Sequence, residues 1–280
     1  MKEIIRLVSY IFKVQIQSAK VWLGCMVGIV YTLNRCMEYI RFADKFGEPV
    51  NVLDVFLIVL GDSNRVVFFI LGWLLIVSAA PFIDRETSYI IYRTSKKRWN
   101  SAVVLYLFVQ AVIYYVILCT ISIVVSVPNG YVGNIWSYPL TMVAKRFCPL
   151  ELSFPYLAVI KTESVYACTL HTLILAILYA VVIGYIGYVI SLYFKSSVGV
   201  FACVMVHFLG YEIMKEGLGF QIDYSLLARS IAMLQMGNTA MVSMVNSYLL
   251  FFIVMMLCLY FSGKRMETID MDYVSKEGVE

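Results

Sequence analysis

Charged residues are scarce in this chain: Asp, Glu, Lys and Arg make up 14% of its 280 residues, whereas 61% are hydrophobic. Soluble domains carry about 25% charged and about 45–50% apolar residues, so the deficit excludes an ordinary water-covered globular protein. Lipid must cover much of the surface, and backbone groups inside lipid are satisfied only in helices or closed barrels. The apolar runs are long and continuous rather than alternating, which favours helices over a barrel.

Common catalytic motifs are also missing. No G-x-x-x-x-G-K-[ST] sequence is present, which excludes the usual loop that cradles ATP phosphates, and neither H-E-x-x-H nor G-x-S-x-G occurs. His171 and His207 both lie within apolar runs, and Glu212 follows soon after the second histidine. Ionisable groups inside a membrane are candidates for a substrate path or for proton transfer. The alternatives are a boundary charge for Glu212 beside Lys215 and an interhelical hydrogen bond for His171.

Paired cysteine spacings are absent as well. None of the seven cysteines forms a C-x-x-C pair or a Cys/His zinc spacing, so the sequence predicts no metal site. Five of them lie in apolar segments, where a free thiol behaves as a small apolar side chain. Cys36 and Cys148 lie nearer the predicted outer face, and both a disulfide between them and two free thiols stay open.

One long polar stretch interrupts the apolar region, at residues 84–100 with the sequence DRETSYIIYRTSKKRWN. It holds more basic than acidic side chains. Its charged residues are Asp84, Arg85, Glu86, Arg93, Lys96, Lys97 and Arg98. A short basic loop between two spans belongs on the cytoplasmic side, because positive charge beside a span resists translocation. Tyrosine and isoleucine side chains among the charges suit this loop either to lie on the membrane surface or to bind another protein.

The apolar runs predict an all-α membrane protein with six transmembrane helices in a domain at residues 21–262. The predicted spans are residues 21–39, 66–83, 102–127, 164–194, 198–214 and 241–262. Outer loops are predicted at 40–65, 128–163 and 215–240, and a charged cytoplasmic tail at 263–280. Both termini then share one side, and the larger number of Lys and Arg residues on that side favours the cytoplasm. Gly184, Gly187 and Gly199 suit close packing between helices.

Residues 1–20 repeat basic and polar side chains at helical spacing, opposite a mostly apolar face. The apolar face consists of Ile4, Ile5, Val8, Ile11, Phe12 and Ile16. This pattern predicts an amphipathic helix in the headgroup layer, and the alternative is a cytoplasmic extension of the first span. Charges that recur as far as Lys20 argue against a signal peptide.

The order of these segments resembles that of the permease subunit of an ABC-2 type (type V) ABC exporter, over nearly the whole chain. Two short sequences carry the likeness: Phe82-Ile83-Asp84-Arg85-Glu86 and Tyr92-Arg93-Thr94-Ser95-Lys96-Lys97-Arg98. The resemblance implies a coupling helix in loop 84–100 that docks onto a separate ATPase subunit. The contact residues that it implies are Asp84, Arg85, Glu86, Tyr89, Ile90, Arg93, Lys96 and Lys97.

This resemblance also implies partners and a cargo. Two copies of an ABC ATPase subunit would bind ATP and Mg²⁺, and a second permease chain, identical or related, would complete the path. The chain itself would bind no cofactor and no nucleic acid, and it would export a peptide, lipid or amphipathic small molecule across the plasma membrane. Two other classes stay open: a secondary transporter, whose usual internal repeat is not visible, and an intramembrane enzyme using Glu212, His207 and His171 as acid, base or metal ligand.

Overall fold

The computed structural model describes residues 1–61, 66–83, 85–145, 157–215, 219–237 and 240–269, and this part of the chain is mostly helical. The helices are α1 (Lys2–Ile16), α2 (Ala19–Asp44), α3 (Val52–Gly61), α4 (Val66–Val77), α5 (Arg85–Thr94), α6 (Lys96–Ser126), α7 (Tyr138–Ala144), α8 (Leu157–Thr162), α9 (Val165–Tyr193), α10 (Ser196–Lys215) and α11 (Met244–Thr268). Two short strands, β1 (Val50–Asn51) and β2 (Gly130–Tyr131), pair in parallel.

Four of these helices, α6, α9, α10 and α11, are long and apolar enough to cross a membrane. Helices α1 and α2 meet at a bend of 77° and supply a fifth candidate span if the bent pair is counted as one. Over its described residues, the chain is therefore an all-α protein with four or five candidate membrane-spanning helices.

The second predicted span, residues 66–83, differs from the structure. Helix α4 ends at Val77 and has 12 residues, which is shorter than a membrane crossing. The helix stops because Pro81 has no N–H to donate and because a proline disfavours helical geometry in the residue before it, here Ala80. Residues 78–81 instead form turns, in which the Ala80 N–H donates to the Val77 carbonyl over 2.9 Å.

Serine side chains fix where several helices begin. The Oγ atoms of Ser95, Ser137 and Ser164 each accept a hydrogen bond from a backbone N–H three residues later, at 3.3–3.4 Å. These N-caps satisfy donors that the first turn leaves without partners, at the starts of α6, α7 and α9. Ser95 therefore separates α5 from α6, so the polar loop of the sequence becomes one short helix followed directly by a long one.

Helix α9 is the most enclosed of the candidate spans. In an apolar stretch of 18 residues of α9, 56% of the residues are buried, whereas in a stretch of the same length in α11 only 11% are buried. Polar groups in the interior find partners: the Trp73 indole N–H donates to the Ala180 carbonyl over 2.8 Å, and the Tyr188 hydroxyl donates to Asn100 Oδ1 over 2.8 Å. The core is therefore centred on α9, and α11 lies at the periphery.

A broad apolar face on α11 is exposed. Its members are each at least 45% exposed: Val245, Leu249, Phe252, Ile253, Met256, Leu257, Tyr260 and Phe261. A contiguous apolar surface of this kind is unusual on a soluble monomer. Lipid would cover it, in agreement with a multi-pass membrane protein.

The helices define two ends of the molecule. At the α5 end, the Ser196 hydroxyl at the start of α10 lies 2.8 Å from the Ser78 carbonyl oxygen just after α4. At the α7 end, the Tyr39 hydroxyl lies 3.1 Å from Ser137 Oγ, and the Asn51 side-chain amide donates to the Gly133 carbonyl over 2.6 Å. The α5 end also holds α1 and the last turn of α11, since Arg98 pairs with Glu3 of α1 and Lys96 donates from Nζ to the Ile269 carbonyl over 2.7 Å.

Candidate docking site and candidate substrate path

Helix α5 is short and amphipathic. Ile91 is 1% exposed and packs on the core, whereas Tyr89 is 64% and Tyr92 61% exposed. Arg93 is also exposed and follows Tyr89 by four residues, so the two side chains are neighbours on one side of the helix. Tyr89, Tyr92 and Arg93 are called the α5 face below. Large aromatic side chains left exposed beside a charge are a candidate contact surface for another protein.

The other predicted ATPase-contact residues of α5 have different surroundings. Ile90 is half-buried against the core. Arg85 and Glu86 belong to the first turn of the helix, but their side chains and the whole of Asp84 lie outside the described residues. Among the predicted residues of this helix, Tyr89 and Arg93 are thus the two that the structure places on an exposed side.

Lys96 and Lys97 form contacts within the chain. Lys96 is bonded to the end of α11, as described above, and Lys97 Nζ lies 2.9 Å from Glu267 Oε1 in α11. Arg98 next to them pairs with Glu3 of α1. The Lys97–Glu267 pair is exposed, 78% and 55% for the two side chains, so it adds little stability. These contacts hold the start of α6 against α1 and α11, beside the α5 face.

The two histidines occupy separate places in the bundle. His171 Nδ1 in α9 lies 2.8 Å from the Tyr248 hydroxyl in α11, which is the interhelical hydrogen bond expected as an alternative. His207 Nδ1 in α10 lies 2.7 Å from the Tyr179 hydroxyl in α9, and its Nε2 is buried without a partner in the described part of the chain. Tyr179 is eight residues beyond His171, which is about 12 Å along a helix.

Glu212 does not join either histidine. Its side chain is exposed near the end of α10, whereas His207 is 2% exposed. Five helical residues turn a side chain by about 140°, so the two point to different sides of α10. Across the described ranges, no group of three His, Cys, Asp or Glu side chains could hold a metal ion. The structure therefore does not assemble His171, His207 and Glu212 into one site.

A buried carboxyl at the α7 end was missed by the sequence reasoning. Asp54 near the start of α3 is 0% exposed; its Oδ2 accepts from the Ser137 N–H over 3.0 Å, and its Oδ1 has no partner among the described residues. Burial raises the pKa of Asp54 from 3.8 to about 7 against the opposing effect of the Ser137 hydrogen bonds. The signal was available: a single Asp lies inside the apolar run at residues 52–60, where ionisable residues are functional candidates.

Tyr131 of β2 lies near this carboxyl. Its hydroxyl donates to the Ile135 carbonyl over 3.1 Å, and its pKa is raised, first by burial and then by the charge of Asp54.

Cys36, for which a disulfide with Cys148 stayed open, is buried as a free thiol, and Cys148 lies outside the described residues.

Comparison with protein-family models, with curated proteins and with solved structures finds no match to this chain. The class that the fold defines is a helical protein with several candidate membrane spans.

Proposed function

We propose that this chain is the transmembrane permease subunit of an ATP-driven ABC exporter, energised by a separate ATPase subunit. The observation that carries the proposal is the α5 face, a short helix with two tyrosines and an arginine exposed at the same end as both α1 and the end of α11. The sequence contains no phosphate-binding loop of its own, so transport work would have to come from a partner. The α5 face is the surface to which that partner would bind.

Six crossings with cytoplasmic termini belong to this proposal. Asn51 lies at the α7 end of the molecule and Ser78 lies at the α5 end. The chain therefore passes from one end to the other between these residues, which supports a second crossing that contains α4. With α2, α6, α9, α10 and α11, the total is six, and both termini share the α5 end. Lys97 and Arg98 lie exposed there, and basic residues beside spans favour the cytoplasmic side of the plasma membrane.

The proposed cycle uses the direct connection between α5 and α6. Two ATPase subunits bind ATP and Mg²⁺ and close on each other, which draws together the α5 helices of two permease chains, identical or related. Only Ser95 separates α5 from α6, so a displacement of α5 moves the long helix with it as a rigid body. A peptide, lipid or amphipathic small molecule would cross between the two permease chains.

Photo-crosslinking tests the proposed contact directly. A benzoylphenylalanine replaces Tyr89 in one variant and Val132 in a matched variant, since Val132 is 73% exposed at the α7 end. The proposal expects the Tyr89 position to crosslink to a protein whose peptides contain a G-x-x-x-x-G-K-[ST] loop, and the Val132 position to give no such product. Crosslinking of the same ATPase at both positions, or at neither, contradicts the assignment.

Charge reversal measures how much the α5 face contributes. Arg93→Glu combined with Tyr89→Ala should weaken co-purification of the ATPase by about tenfold or more, because exposed Arg and Tyr side chains are frequent anchors of interfaces. Lys45→Glu is the control, since Lys45 is exposed at the far end of α2. The variant must still insert in the membrane and elute as a single species. Unchanged co-purification of such a folded variant would remove α5 from the contact.

A further inference from the structure

A cavity at the α5 end has features that the proposed ATPase contact does not use, and we propose that it binds the phosphate headgroup of an anionic phospholipid. The cavity has a volume of about 740 Å³ and lies between α1, the turn after α4, the α9–α10 connection and the end of α11. Pockets of about 300–1,000 Å³ are typical of small-molecule sites, and a glycerophosphate headgroup fits within that range. This inference does not rest on the exporter role.

Among the residues that the structure describes, the charged side chains that line the cavity are Lys20, Lys195 and Arg265, all of them basic. Arg265 is held in position, because its Nε donates to the Leu192 carbonyl over 3.0 Å and its guanidinium lies 5.1 Å from the centre of the Tyr193 ring. Three cations around one space favour an anionic occupant.

An apolar row on α10 favours a lipid over a free phosphate. Val198 of α10 lines the cavity and is 42% exposed, and Phe201, Met205 and Leu209 continue the exposed row along α10. Steps of three or four residues keep these four side chains on one side of a helix that is itself a candidate span. Phe194, 65% exposed in the connection before α10, also lines the cavity. An acyl chain can lie along this row while the phosphate occupies the cavity. A free phosphate has no acyl chain and would not contact this apolar row.

The test uses the full-length protein purified in a neutral detergent. Binding is measured by native mass spectrometry and by the shift in melting temperature with phosphatidylglycerol, phosphatidylcholine or inorganic phosphate. We expect phosphatidylglycerol to bind and to raise the melting temperature, whereas phosphatidylcholine and inorganic phosphate leave it unchanged. A shift with inorganic phosphate as large as that with phosphatidylglycerol, or equal binding of the two lipids, overturns the proposal.

Paired lysine variants locate the binding. Lys20→Gln with Lys195→Gln should weaken phosphatidylglycerol binding by about tenfold or more, since each lysine near an anionic lipid contributes on the order of a fivefold change. Lys13→Gln with Lys264→Gln is the matched control, because both of these lysines are exposed at the same end but do not line the cavity. Phosphatidylglycerol binding that is equal in the wild type and in the Lys20/Lys195 variant places the lipid elsewhere on the surface and contradicts the cavity as its site.

Discussion

Buried polar side chains in this bundle differ in how completely they are satisfied. The Tyr114 hydroxyl donates to the Phe69 carbonyl over 3.0 Å, and the indole of Trp73 is also paired. Asp54 is different, because only one of its two carboxyl oxygens has a partner in the described part of the chain. A carboxylate taken out of water without full hydrogen bonding is costly, so the folded protein favours the protonated form.

This carboxyl predicts a pH dependence of stability. Its pKa is about 7 in the folded chain against an ordinary 3.8, so between these values the folded state holds a proton that the unfolded state has lost. The free energy of unfolding therefore falls as pH rises from about 4 to about 7, by on the order of 3–4 kcal/mol. Asp54→Asn cannot ionise and keeps an acceptor for the Ser137 N–H. Thermal melting from pH 4.5 to 8.5 should show the variant more stable than the wild type above pH 7.

The control for this prediction is Glu48→Gln, the same loss of a carboxyl at an exposed position of the α7 end. Its difference from the wild type should change little over the same pH range. If the difference between Asp54→Asn and the wild type is constant from pH 4.5 to 8.5, the Asp54 carboxyl does not titrate in this interval and its burial in solution is not as described.

Close approach between helices depends on glycines at several contacts. A Cβ atom at Gly24 of α2 would lie 2.4 Å from the Gly72 carbonyl oxygen of α4, and one at Gly72 would lie 2.7 Å from the Gly24 carbonyl oxygen. The α9–α10 pair is similar, since a Cβ at Gly199 would lie 2.6 Å from the Gly187 carbonyl oxygen. Small residues at helix crossings let backbones touch, which is the main way that helices associate in lipid.

We predict that Gly24→Ala lowers the free energy of unfolding by about 1–3 kcal/mol, because a backbone carbonyl cannot move aside as a side chain can. The measurement is the melting temperature in detergent. Gly263→Ala is the matched control: it lies in α11, and a Cβ there would have no described atom within 4 Å. Alanine favours a helix over glycine, so this control should be neutral or slightly stabilising. Equal destabilisation by the two substitutions would contradict a specific α2–α4 contact.

The sequence predicted a helix boundary well where the end of an apolar run sets it, and less well where a capping residue sets it. Apolar runs predicted residues 164–194 and 198–214, and the structure has α9 at Val165–Tyr193 and α10 at Ser196–Lys215. The predicted span 102–127 begins too late, because α6 starts at Lys96 behind the Ser95 cap. Lysine and arginine are good helix formers, so a helix continues where hydropathy ends.

Contacts between residues that are far apart in the chain could not be predicted from the sequence. Gly187 and Gly199 were predicted as packing residues, but Gly24 and Gly72 were not, since nothing local shows which helices will be neighbours. The bond from the Ser137 N–H to Asp54 joins residues 83 positions apart. The same limit applies to the candidate site: the resemblance to ABC-2 permeases implied a docking helix with Tyr89 and Arg93, but nothing in the sequence showed that the partners of Lys96 and Lys97 come from α11.

At the scale of the whole molecule, the two ends differ in their chemistry. The α5 end contains α1, the α5 face and the basic cavity, while the α7 end is closed by β1, β2 and α7 around the buried Asp54. The ATPase contact proposed for the α5 face requires the α5 end to lie on the cytoplasmic side. The same orientation would bring the basic cavity to the inner leaflet, where anionic lipids are concentrated.

Cysteine labelling in intact cells tests this orientation. Tyr89→Cys and Val132→Cys place thiols at positions that are 64% and 73% exposed at opposite ends, and the unmodified chain, with its native cysteines buried or half-buried where described, gives the background. A membrane-impermeant maleimide should label Val132→Cys in intact cells and Tyr89→Cys only after permeabilisation, because the bilayer shields the cytoplasmic end. Labelling of Tyr89→Cys in intact cells would place the α5 face outside, beyond the reach of any ATPase, and the exporter proposal would fall while the lipid site could still be tested.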